Sequence, residues 1–111
     1  MLSQHSEPFT CNVTPERDQV IVAPCGELDM ATVGAVEQEL QRLCDSGFRK
    51  IVLDLGGLSF MDSSGLHLVT RWSAEASRDG FLFELEPGPP QVQRVFEVTA
   101  VMDELPFKSR P

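Results

Sequence analysis

The feature that most narrows the fold is a repeated change of hydrophobic period along the chain. Val20-Ile21-Val22-Ala23, Ile51-Val52-Leu53-Asp54-Leu55 and Phe81-Leu82-Phe83-Glu84-Leu85-Glu86 are short runs of β-branched, aliphatic and aromatic residues. They have the length and composition of strands, and the second is continuous enough for a buried parallel one. Between them the apolar positions fall three and four apart. Val33, Val36, Leu40 and Leu43 form one stripe, with Glu37, Glu39, Gln41 and Arg42 on the other face; Leu66, Val69, Trp72 and Ala76 form a second stripe over about 64–78. That is the spacing of amphipathic helices. Strands alternating with helices predict an α/β domain whose central sheet is mostly parallel, with helical crossovers.

The ends of the chain refine this. Phe9-Thr10-Cys11-Asn12-Val13 alternates apolar and polar residues, and Pro15-Glu16-Arg17-Asp18 is turn chemistry. A hairpin therefore adds an antiparallel N-terminal strand. Residues 1–8 are expected to be a loose tail and 9–111 a single domain. Asp29 or Thr32 is suited to cap the first helix, Ser46-Gly47 to end it, and Asp79-Gly80 to end the second. Pro87-Gly88-Pro89-Pro90 pre-sets the first turn of a third helix, with Val92, Val95 and Phe96 as its apolar face. Residues 104–107 are expected to add a short strand, which Pro106 permits only at an edge. In such a fold the strand-to-helix loops 26–29, 56–63 and 86–90 emerge along one rim of the sheet, where α/β sites usually sit.

Charge and cysteine usage exclude several functions. The chain has 111 residues, 17 acidic against 9 basic, for a formal net charge of −8. Such a field repels phosphate backbones and acidic membrane surfaces, so neither nucleic acid nor membrane is an expected partner. Cys11, Cys25 and Cys44 lie far apart, form no CxxC pair, and are separated from His5 and His67; they read as reduced thiols and not as zinc ligands. The N-terminus has no apolar signal region, and no apolar run approaches the length of a membrane span. A soluble cytoplasmic protein without a cofactor is expected. No phosphate-binding glycine motif is present, and Gly56-Gly57 is too short a cradle for a nucleotide.

The informative segment is Leu58-Ser59-Phe60-Met61-Asp62-Ser63-Ser64-Gly65-Leu66. It places an acidic residue, two hydroxyls and a glycine where a helix starts, and helix N-termini favour anions. Plain capping by Asp62, Ser63 or Ser64 satisfies the same pattern, and spacing alone does not choose between the serines. Ser63 and His67 with Asp29 or Asp62 also contain the residue types of a nucleophile triad. No G-x-S-x-G elbow or glycine-rich oxyanion loop accompanies them, so the chain is read as a non-enzyme.

Gly26-Glu27-Leu28-Asp29, Ile51-Val52-Leu53-Asp54-Leu55 and the Asp62-Ser63-Ser64-Gly65-Leu66 string together resemble the anti-sigma factor antagonist family, which shares the STAS domain. The resemblance covers about residues 9–107 and implies a STAS fold. It further implies that the first serine after the aspartate, Ser63, is phosphorylated by a partner anti-sigma factor that is an ATP-dependent serine kinase. The unphosphorylated protein would bind that partner and release a sigma factor; a phosphatase would reset the switch. Asp29, Asp62, Ser63, Ser64, Gly65 and His67 are then the expected partner-binding residues, with Gly65 as the small residue that lets a partner approach. His67 departs from the family, which often has a small residue there, and the loop 87–90 is richer in proline than the resemblance leads one to expect, which implies a stiffer rim loop. The alternative is a STAS subunit of a transport or lipid-trafficking complex, bound without phosphorylation.

Overall fold

The computed structural model describes residues 8–99 and 105–108. Its elements are β1 (Thr10–Glu16), β2 (Gln19–Leu28), α1 (Val33–Asp45), β3 (Lys50–Asp54), β4 (Leu58–Met61), α2 (Ser63–Asp79), β5 (Leu82–Glu86) and α3 (Pro90–Val98). β1 runs antiparallel to β2, and the remaining pairings are parallel, in the order β1-β2-β3-β5 with β4 paired to β2. The expected α/β sheet with an antiparallel N-terminal strand is the fold observed. Residues 1–7 of the expected tail lie outside the described residues.

β2 is longer than its Val20–Ala23 heart because it serves three partners. It meets β1 along Gln19–Cys25, β3 at Val20–Val22 and β4 at Gly26–Leu28. Pro24 lies within it, where a missing N–H would ordinarily break a ladder. Strand parity resolves this. The Gly26 N–H donates to the Gly57 carbonyl at 3.2 Å, so Pro24, two residues earlier, turns its nitrogen to the same edge. There it faces the seam between the last β3 pair at Val22 and the first β4 pair at Gly26. Gly26 itself has φ of +109° and packs against Phe9, a conformation that a side chain would strain.

Two expectations are corrected. Residues 56–63 are not a plain loop, because Leu58–Met61 forms β4 beside the end of β2. The C-terminal edge strand reduces to a single parallel bridge, Leu85 to Phe107, in which the Leu85 N–H donates to the Pro106 carbonyl at 2.9 Å. Pro106 needs only its carbonyl there, as an edge proline does. Glu104 lies outside the described residues.

The core lies between one sheet face and the helices. Val20, Val22, Ile51, Leu53 and Leu85 from the strands meet Val36, Leu40, Val69 and Phe96 from the helices, all fully buried. Every residue of the two anticipated helical stripes is at least partly buried in this cluster. Trp72 and Phe81 pack with ring centroids 6.5 Å apart, and Phe96 meets Phe107 edge-on at 5.0 Å.

Candidate functional site: the rim at the start of α2

The site is built on two parallel strands that end together. Leu28 of β2 is in register with Met61 of β4, and the Asp62 N–H donates to the Leu28 carbonyl at 3.2 Å. Asp29 and Asp62 are the next residues of the two paired strands, whose axes lie about 4.8 Å apart as in any sheet. The shared rim inferred from βαβ connectivity is therefore present. The third loop joins it: the Gln91 side-chain amide donates to the Ser59 carbonyl at 3.3 Å, and Gly88 packs on the Leu55 carbonyl.

Each aspartate organises its own turn. Asp62 is the N-cap of α2, its Oδ1 accepting the Ser64 N–H at 2.8 Å while its carbonyl accepts the Gly65 N–H at 3.1 Å. Asp29 Oδ1 accepts from the Ala31 and Thr32 amides at 2.9 and 3.2 Å. Thr32 holds the same turn, accepting from the Asp29 N–H at 3.0 Å and donating to the Glu27 carbonyl at 2.7 Å. Thr32 occupies the N-cap position of α1 without a side-chain cap bond; the capping expected of Asp29 is directed to the turn just before the helix.

Because Asp62 does the capping, Ser63 is left as the first residue of α2, exposed, with no hydrogen-bond partner for its hydroxyl among the described residues. Ser64 is half-buried behind it. His67 follows one turn later on the same face and is exposed. Gly65 is buried, and a methyl group there would come within 2.5 Å of Met61 Cγ and 3.0 Å of Leu28 Cδ2. The missing side chain of Gly65 makes room for the protein's own core.

Three features of the rim were not anticipated. Met30 and Phe60 are large apolar side chains left 81 and 45% exposed, one following Asp29 and the other two residues before Asp62. An open groove of about 430 Å³ runs from Phe60 and Met61 to Arg94, Val95 and Val98 of α3. The segments 26–32, 56–62 and 86–90 contain Glu27, Asp29, Asp62 and Glu86 and no Lys, Arg or His. The charges were legible in the sequence; the exposure of Met30 and Phe60 was not, since apolar residues beside strands ordinarily read as core. Glu86 is paired with Lys108 at 3.1 Å.

The arrangement offers a free hydroxyl on a helix start, framed by carboxylates and flanked by exposed apolar side chains. Among the described residues the Asp29 and Asp62 carboxylates accept from backbone amides and, for Asp29, from the Thr32 hydroxyl, and neither bonds to His67. The STAS domain family model matches residues 12–110. The anti-sigma-B factor antagonist of Staphylococcus aureus is 37% identical over 79 residues, covering 70% of this chain and 72% of that protein. Among solved structures, the anti-sigma factor antagonist SpoIIAA in its unphosphorylated form is 25% identical with a TM-score of 0.71, covering 93% of this chain and 90% of that one. An anti-sigma factor antagonist from Mycobacterium paratuberculosis shares the fold at 22% identity and a TM-score of 0.75, covering 93 and 87%. On these grounds the chain belongs to the STAS domain family, among the anti-sigma factor antagonists.

Proposed function

We propose that this protein is a partner switch: unphosphorylated, it binds an anti-sigma factor with ATP-dependent serine kinase activity and frees a sigma factor, and phosphate on Ser63 ends that binding. The observation that carries the reading is the Ser63 hydroxyl, exposed and unpartnered among the described residues because Asp62 takes over the helix cap. A kinase brings its own magnesium nucleotide and base; its substrate needs only a well-placed hydroxyl. SpoIIAA, which shares this fold, has been solved in unphosphorylated and phosphorylated forms.

In this reading the footprint around Ser63 includes Asp29, Asp62, Ser64 and His67, with Met30 and Phe60 as apolar anchors; Gly65 supports it from below. Phosphate adds about −1.5 to −2 charges at neutral pH. The helix dipole offsets roughly 0.3–1 kcal/mol of the resulting repulsion, while a charge desolvated at an interface without a partner costs several kcal/mol. Each ~1.4 kcal/mol is tenfold in affinity, so binding ends without refolding of the domain. A phosphatase resets the switch.

The test is to isolate the kinase partner by pull-down, supply ATP, and locate the phosphate by mass spectrometry. Label on Ser63 is expected, as is a Ser63→Ala protein that is not labelled and still binds. Phosphate found mainly on Ser64 or elsewhere overturns the assignment.

A further inference from the structure

We propose that His67, one helical turn beyond Ser63, is the residue that receives the phosphate on Ser63. The inference deepens the function proposed above and rests on Ser63 being the acceptor. It starts from a deficit. The three rim segments that surround Ser63 carry four carboxylates and no basic side chain, so a phosphate arriving there meets repulsion from Asp62 and Asp29.

Two exposed cation candidates lie near the rim: Arg94 of α3, which lines the groove with Phe60 and Met61, and, stacked on Ser63 itself, a residue of α2. Helical side chains lean toward the N-terminus, which stacks position i+4 over position i with Cβ atoms about 5–6 Å apart. His67 stands in that relation to Ser63, and both are exposed. Its imidazole makes no hydrogen bond or ion pair among the described residues, so nothing competes for it. The next cation on the stripe is Arg71, one further turn away and engaged with Glu37 of α1. The other charged groups of the rim are Asp62, Asp29 and Glu27, with Arg94 of α3 lining the groove beside Phe60 and Met61; the first turn of α1 has no acidic residue, and β4 carries no charge.

The test installs phosphoserine at position 63 of the full chain during translation, by suppression of a stop codon, so it does not depend on any kinase. The second ionisation of that phosphate is followed by 31P NMR against pH at low ionic strength in the wild-type, His67→Gln and His67→Lys backgrounds, with circular dichroism to verify folding. A neighbouring cation favours the dianion. The midpoint is expected to lie lower in the His67 protein than in His67→Gln by roughly 0.15–0.4 pH unit, the size of an exposed i,i+4 ion pair. His67→Lys, charged throughout, is expected to restore or extend the lowering, and 0.5 M salt to shrink it. Equal midpoints with histidine and glutamine at position 67 overturn the inference. Failure of a kinase to label Ser63 overturns the proposed function instead and leaves this comparison intact.

Discussion

At Asp29 the carboxylate already holds two backbone amides, those of Ala31 and Thr32, through one oxygen. An asparagine carbonyl can accept the same two bonds, so the structural duty and the negative charge are separable by one substitution. Asp29→Asn is expected to keep stability within about 0.5 kcal/mol, since asparagine and aspartate serve equally as caps. Association with the anti-sigma partner or the rate of Ser63 phosphorylation is expected to change several-fold. A urea melt and a labelling time course separate the two effects; a folded Asp29→Asn protein with unchanged kinetics and binding would make this residue a turn-former alone. The aspartates and serines of the site were legible because helix starts have a vocabulary of residue types. The task of Gly65 was not. A glycine after two serines reads as access for a partner, and that it also makes room for Met61 and Leu28 is visible only once those side chains are placed against it.

Gly65 also marks where α2 is seated on β4. A Cβ there meets the sulfur and γ-carbon of Met61 at 2.8 and 2.5 Å, a contact that requires movement of a buried side chain. Gly65→Ala is therefore expected to destabilise the fold by about 1–3 kcal/mol despite the better helix propensity of alanine, read as a lowered urea midpoint with unchanged slope. A neutral or stabilising result would show that Met61 repacks freely. The elements themselves were mostly visible in advance, because α1 and α2 show an apolar stripe and β2, β3 and β5 an apolar run. β4 was missed for a physical reason. Its four residues alternate in no useful way, with Leu58 and Met61 buried and Ser59 and Phe60 exposed, and they sit between Gly57 and Asp62 like loop residues. The extension of β2 past Ala23 was hidden by Pro24 and Gly26, whose penalties vanish only because β3 and β4 leave a seam between them.

Across the whole molecule, burial leaves a mark on the thiols. It pushes the Cys11 thiol up from its ordinary value of 9.0 to about 11, helped by Glu39 and Cys25, and raises Cys44, beside Asp45, Asp79 and Glu75, in the same direction. Because these values are raised on folding, the unfolded chain releases its thiol protons first as pH climbs. Stability is then fully present below about pH 9 and declines between about pH 9 and 11. The urea midpoint is expected to fall across that window, and Cys11→Ala to flatten part of the fall relative to its own value at neutral pH. An identical alkaline slope in both proteins would exclude Cys11 as a contributor.

The paired ends of β2 and β4 bear on time. The rim is pinned by the Gly26-to-Gly57 and Asp62-to-Leu28 bonds and by the Gln91 tether, so its loops share one rigid frame. A switch mounted on such a frame has no slow relaxation of its own to outlast the chemistry. In the proposed function, the duration of a signal is then set by the two opposing enzymes and by what holds the phosphate, not by a slow change of the fold. In that reading the phosphate itself is the record of the former state.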